Sequence, residues 1–247
     1  MKLEEFQQLV DVQYQPSRSN QEPLSKDLLY QLLDIAHLAP SDRNLQPTHY
    51  FIVSDVALLD TKKQKRLLKA VLGQKEILTA GTLVIFCGDR KAASNNLEDV
   101  IDSGYESTRF TEADENKLRL YVKLNFDQGA FGITYLAKAL FTPILRLFTP
   151  MPLLPAVHKR YWLTKQVMLS CANFILAAKA AKLICVPIQG FDESRIRKIF
   201  GIPCNFVVPI IVAVSKPKDV LKSVLEATCT CTCKLPLEEF VHYWGQT

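Results

Sequence analysis

The chain switches between two periods of hydrophobic and polar positions. Leu3, Phe6, Leu9 and Val10 recur at helical spacing and predict a short helix over residues 1–12. Residues 13–23 are polar, and Pro16 and Pro23 act as breakers. Ser25 then stands as the N-cap of an amphipathic helix with apolar positions at Leu28, Leu29, Leu32, Leu33, Ile35 and Ala36, ended by Pro40. Residues 48–54 and 82–87 are rich in β-branched and aromatic residues and predict two strands, with a lysine-rich helix between them. Residues 91–128 are charged and predict two helical pieces. After Thr164 a long helix runs to about Ala181 with apolar or small residues on nearly every face, the pattern of a buried central helix. Pro187, Ile188, Gln189 and Gly190 read as a turn, residues 193–200 as a short helix and residues 206–214 as a strand. Pro209 restricts that last strand to an edge, an end or a bulge.

Helices outnumber strands, and the strands lie far apart in sequence. The order predicts an α+β fold, a sheet sandwiched by helices, in a single domain spanning residues 1–247 without repeats or a linker. Composition agrees: 48% of residues are hydrophobic and 22% charged, enough apolar surface for a sizeable core. The net charge of +5 is spread over both halves. The longest basic run, residues 62–66, reads as the solvated face of a helix. Without interleaved aromatic residues it gives no nucleic-acid surface. Seven cysteines and an opening Met1-Lys2-Leu3-Glu4-Glu5 predict a reduced, cytoplasmic protein. Residues 129–160 are unusually apolar, yet Pro143, Pro150, Pro152 and Pro155 interrupt the run, as do Lys138 and Arg146, so no spanning helix is expected. A substrate lid or extra dimer packing is the favoured reading of this insertion; contact of residues 133–157 with a membrane surface is the less favoured one.

Three groups of residues invite a chemical reading. In residues 39–47, Ala-Pro-Ser-Asp-Arg-Asn-Leu-Gln-Pro, a helix stop and turn expose Ser41, Asn44 and Gln46 just before a strand. Their amides and hydroxyl either satisfy local backbone groups or read the edge of a heteroaromatic ring. Cys229, Cys231 and Cys233 fall on one side of an extended segment, but no second ligand pair accompanies them, so no metal site is expected. His37, His49, His158 and His242 lack ligand spacing and receive no catalytic role; His37 is expected to be partly buried.

Taken with the segments downstream, residues 39–47 resemble the flavin-proximal motif of the nitroreductase family. Residues 83–87 resemble its central strand, and residues 165–178 its long dimer-interface helix. Residues 186–192 are similar to the turn against the isoalloxazine ring, and residues 234–239 to the C-terminal motif. The nearest branch in character is the oxygen-insensitive NAD(P)H nitroreductase and dihydropteridine reductase group. The resemblance implies an α+β sandwich around a central mixed or antiparallel sheet and an obligate homodimer with FMN at its interface. It also implies ping-pong hydride transfer from NAD(P)H to a nitroaromatic, quinone or similar conjugated acceptor. The chemistry is then the flavin's, with no catalytic side chain. The cofactor-binding set it implies is Arg18, Ser41, Asn44, Gln46, Pro187, Ile188, Gln189, Gly190 and Lys234. The family usually opens with Arg-x-Ser-x-Arg, whereas residues 12–18 here read Val-Gln-Tyr-Gln-Pro-Ser-Arg, and Thr232 stands where a second basic residue often accompanies Lys234. Arg18 and Lys234, joined by Arg43, are the cations left for the phosphate. The other reading of these departures is a relative that keeps the fold as a binding or scaffold protein with little turnover.

Overall fold

The computed structural model describes residues 2–11, 19–127, 133–145, 147–150, 157–218 and 240–241. Its sheet has five strands: β1 (Ser19–Asn20), β2 (Thr48–Val53), β3 (Thr82–Asp89), β4 (Ile184–Ile188) and β5 (Phe206–Pro217). The order is β1-β5-β3-β2, with β4 also paired to β5, and every described pairing is antiparallel. The helices are α1 (Leu3–Asp11), α2 (Lys26–His37), α3 (Thr61–Ala70), α4 (Glu76–Thr79), α5 (Ala92–Asn95), α6 (Leu97–Glu106), α7 (Glu112–Phe126), α8 (Ile133–Leu145), α9 (Lys159–Ala180) and α10 (Glu193–Phe200).

Helices cover both faces of the sheet, which is why β3 is buried along its whole length and reads as a continuous apolar run. The period-2 alternation of a strand divides that run. Val84 and Phe86 of β3, with Ile210, Val212 and Val214 of β5, join Leu29, Leu32 and Ala36 of α2 and Val167, Cys171 and Phe174 of α9 in one core. Leu83, Ile85 and Cys87, with Ile211 and Ala213, form a second core with Leu67 and Ala70 of α3 and Ile196 of α10. A third cluster packs Leu45, Val100, Leu118, Phe126, Trp162 and Leu163.

Local chemistry fixes several element ends. Ser25 Oγ accepts from Leu28 N at 3.4 Å, and Asp60 and Asp192 cap α3 and α10 in the same manner. Thr111 and Asp114 form a reciprocal capping box at the start of α7. Pro209 occupies a bulge, where the β3–β5 register shifts between Phe86 and Gly88.

Several sequence expectations need correction. Pro187 and Ile188 are not in a turn: they belong to β4, opposite Val212 and Ile211. Proline is tolerated there because, among the described residues, β4 pairs with β5 alone. The central helix begins at Lys159 rather than after Thr164, because Trp162 and Leu163 anchor an extra turn in the third cluster. That helix is not buried all round either: Tyr161 and Leu169 are 55% and 46% exposed, so one of its faces lies uncovered in a single chain. Residues 91–128 make three helices rather than two, divided at Asn96, and His37 is exposed at the end of α2. In the apolar insertion, α8 forms with Pro143 inside it, and Leu140, Phe141, Leu147 and Phe148 are exposed. No described helix is long and apolar enough to cross a membrane. Arg18, Lys234, Cys229, Cys231, Cys233 and His242 lie outside the described residues.

The chain entering α2 lies against the start of β3. Leu24 N donates to Thr82 Oγ1 at 3.0 Å, and that hydroxyl donates to Ser54 O at 3.0 Å. A Cβ added to Gly81 would overlap the backbone carbonyl of Glu22. Gly81→Ala is therefore expected to lower unfolding stability by about 1–3 kcal/mol, the usual cost of overpacking. Chemical denaturation checks this, and an unchanged midpoint would contradict the packing described.

Candidate functional site

The loop between α2 and β2 is held in an uncommon backbone shape. Arg43, Asn44 and Gln46 have φ of 52°, 57° and 44°. Asparagine tolerates the left-handed region, but Arg43 and Gln46 do so at a cost of roughly 1 kcal/mol or more each. Four side chains from three parts of the fold keep them there. Asp42 N donates to Gln166 Oε1 of α9 at 2.8 Å. The Asp42 carboxylate accepts from Tyr121 Oη of α7 at 2.8 Å and from Trp162 Nε1 of α9 at 2.9 Å, both on Oδ2. Asn96 Nδ2 donates to the carbonyls of Leu45 and Gln46 at 2.9 and 3.2 Å. Leu45 is fully buried between these partners. Burial, reinforced by the Asp42 carboxylate, pushes the Tyr121 hydroxyl up to about 12, so it stays a neutral donor across ordinary pH.

This framework leaves the predicted side chains facing outward. Ser41 Oγ accepts from Gln46 N at 3.0 Å, and Gln46 Nε2 donates to Asn44 O at 3.2 Å. Asn44 and Gln46 are exposed, and no described hydrogen bond uses the Asn44 side-chain amide. Beneath the loop, Ser170 Oγ donates to Ala36 O at 2.9 Å, so at its 2.7 Å contact with Ser170 the Tyr50 hydroxyl is the donor. Ser41, Gln46, Tyr50, Gln166 and Ser170 line a small cleft of about 20 Å³, room for little more than a water.

The second predicted group lies at the end of β4. Ile188 is buried, while Pro187, Gln189 and Gly190 are exposed. Gly190 O accepts from Gln74 Nε2 at 2.7 Å, and Asp192 N donates to Ala70 O at 2.8 Å, so this segment is fixed from the C-terminal end of α3. A Cβ on Gly190 would meet only the Gln74 amide, at 3.3 Å, and its other side is open. The Ser194 hydroxyl and the Arg195 N–H hold the Asp192 carboxyl below its usual range. No described hydrogen bond engages the Gln189 side chain.

Both groups sit at one end of the sheet. The loop feeds Thr48, opposite Gly88, and β4 leaves at Ile188, opposite Ile211. They are on opposite edges, however, with β3 and β5 between them. At one strand spacing per step the separation is roughly 14 Å, and no described hydrogen bond joins them. The structure thus brings Ser41, Asn44 and Gln46 together, and separately Pro187, Ile188, Gln189 and Gly190, without uniting the two sets within one chain. Chemically, each set offers amide donors and acceptors beside an open backbone, suited to the edge of a flat heteroaromatic ring. Asp42, Asn96, Tyr121, Trp162 and Gln166, which position the loop, escaped the sequence reading. Asp42 lies inside the motif, but its partners come from far along the chain. Among the described thiols, Cys87 and Cys171 are fully buried and burial pushes both up to about 12, which gives them no nucleophilic role. No described group of residues gathers metal ligands.

Comparison with known proteins bears on the fold and the family. The chain is 27% identical to an NADH dehydrogenase of Thermus thermophilus over 202 residues, 82% of each protein. It is 28% identical to an oxygen-insensitive NAD(P)H nitroreductase of Salmonella typhimurium over 170 residues, 66% of this chain and 65% of that one. Among solved structures, an FMN complex described as a nitroreductase from Exiguobacterium sibiricum superposes with a TM-score of 0.61 at 19% identity, over 96% of each chain. A nitroreductase-like protein of Streptococcus mutans gives 0.68 at 16% identity, over 98% of this chain and 99% of that one. Such low identities establish the shared fold. The pattern of the Nitroreductase family itself matches residues 19–215, nearly the whole described core, and the chain belongs to that family.

Proposed function

We propose that the protein is an FMN-dependent NAD(P)H oxidoreductase that works as a homodimer and reduces a nitroaromatic, quinone or similar conjugated acceptor. The observation that carries the reading is the outward-facing amide set on a pinned, left-handed loop, in a chain of this family. Related proteins named as NAD(P)H nitroreductases and a neighbour solved with FMN support it. When bound, FMN supplies two-electron hydride chemistry, so that NAD(P)H, a proton and a quinone give NAD(P)⁺ and a hydroquinone.

The side chains then have positioning roles. Ser41, Asn44 and Gln46 would fix one edge of the ring system, and the exposed backbone at Gln189 and Gly190 would lie against it without a side chain intervening. Pro187 and Ile188 set the height of that backbone through their pairing with β5. The loop and the β4 end occupy opposite sheet edges, and the cleft beneath the loop is too small for a flavin. A site drawing one set from each of two chains satisfies both facts. The uncovered face of α9 exposes Tyr161 and Leu169 beside Lys165, surface of the kind that such a dimer buries. Arg18 and Lys234 remain the proposed phosphate cations.

Protein purified or reconstituted with FMN should show the visible absorbance of oxidised flavin, and anaerobic NADH or NADPH should bleach it. A reconstituted protein that stays colourless would exclude the assignment; bound flavin that neither reduced nucleotide bleaches would favour a binding role. Asp42→Ala leaves the Tyr121 hydroxyl and the Trp162 indole without their acceptor, an expected loss of about 1–3 kcal/mol in stability. It should also weaken FMN affinity, because the strained loop loses its clamp. Retention of wild-type flavin affinity in this variant, measured by fluorescence titration, would remove the clamp from the account.

A further inference from the structure

A cavity of about 830 Å³ opens between α6, α7 and the loop of residues 42–44. That volume is within the range of small-molecule sites, roughly 300–1,000 Å³. Arg43 and Asn44 reach its wall, so it adjoins the loop that carries the proposed flavin contacts.

Its lining has two characters. Phe110, Leu118 and Tyr121 give an apolar body, and Leu120 and Leu124, one helical turn apart on α7, are 55% and 56% exposed at the opening. Arg43, Arg109 and Lys117 bring three cations against a single carboxylate, Asp114. That carboxylate is already engaged: Oδ2 accepts from Thr111 N at 3.1 Å and from Thr111 Oγ1 at 2.6 Å, and Oδ1 lies 3.7 Å from Lys117 Nζ. The Arg43 guanidinium lies 4.9 Å from the Tyr121 ring centroid. Among the described residues, no ion pair engages Arg43 or Arg109.

The rest of this helical hairpin contrasts with the cavity. Arg119 is bonded to Glu98 at 2.6 Å and to Glu115 at 2.7 Å, and Tyr105 Oη donates to Glu115 at 2.6 Å. Those contacts tie α6 to α7 and engage the Arg119 guanidinium with two carboxylates. Arg43 and Arg109, without an ion pair among the described residues, stand at the cavity beside exposed leucines. Guanidinium groups on an apolar wall favour a ligand with a flat or aliphatic body and a carboxylate, sulfonate or phosphate.

We infer that this cavity is an acceptor subsite that selects amphipathic anions, so that the preferred acceptors are conjugated molecules carrying an acidic group. This assignment rests on the oxidoreductase reading for its catalytic meaning, while binding to the cavity is measurable without flavin.

The test has two arms on the full-length protein, comparing wild type with Arg109→Gln and Arg43→Gln, and with Lys65→Gln on α3 as a control. In the binding arm, 8-anilinonaphthalene-1-sulfonate is titrated by fluorescence. Its affinity should fall about tenfold in either arginine variant, the scale of one lost charge-assisted contact, and remain unchanged in the control. In the kinetic arm, the KM for 1,2-naphthoquinone-4-sulfonate should rise by a similar factor in Arg109→Gln while the KM for neutral 2-methyl-1,4-naphthoquinone stays put. Equal dye affinity in all four proteins would overturn the inference. So would a KM that rises equally for both quinones. A third overturning result is Leu124→Glu converting a dimer to monomer with dye binding intact, which would give this face to a second copy of the chain. A protein that binds the dye through Arg109 yet takes up no FMN would preserve the anion site and refute only the oxidoreductase reading.

Discussion

The carboxylate of Asp42 is the hinge on which the candidate site depends. It accepts the Tyr121 hydroxyl and the Trp162 indole on one oxygen, while its own N–H is held by Gln166. These contacts come from α7, packed into the third core, and from α9, which spans the first and third cores. Left-handed backbone at Arg43, Asn44 and Gln46 is costly without glycine, and it persists only because the surroundings over-determine it. Leu45, buried among the same partners, turns the loop into a rigid ledge on which its neighbours face outward.

A second constraint comes from the sheet. Two covered faces leave its edges as the places where backbone can meet a ligand. β2 and β4 are on opposite edges of the β3–β5 pair, and the start of β2 and the end of β4 lie toward the same end of the sheet. In the proposed dimer each chain offers one of these edges to the ring, and the face of α9 left bare in one chain, with Tyr161 and Leu169, is where that dimer would gain its burial. Function in this reading arises from a division of labour. A strained loop and an open strand end, each fixed by its own core, become a site when they are contributed by different copies.

Much of this fold was legible in the sequence, for physical reasons that differ by element. β3 declared itself as an unbroken apolar run because both of its faces are covered. Ser25 is a cap whose chemistry is local, so the start of α2 was readable from a few residues. Pro209 correctly demanded an irregular position and found a bulge. Pro187 misled, since proline argues against a strand unless the strand is an edge, and edge status is a tertiary fact. The uncovered face of α9 was hidden from the hydrophobic pattern, because an apolar residue reads alike whether it meets the core or a second copy; only the family resemblance pointed to an interface there. At the site, the outward residues Asn44 and Gln46 were named by their motif. Their support was not, because Tyr121 and Trp162 come from helices far away in sequence. The cavity between α6 and α7 left no signal, as its cations arrive from separate elements and their lack of partners is visible only in space.

The central claim, that one chain's loop and another chain's β4 end share a site, can be tested by complementation. Chains carrying Asn44→Ala with Gln46→Ala, and chains carrying Gly190→Val, are each expected to lose flavin affinity as homodimers. Co-expressed and purified as a heterodimer by two different tags, they should regain FMN binding at one of the two sites, because one site then receives only wild-type segments. A heterodimer as deficient as both parents would contradict the shared site and return the two sets of residues to separate roles.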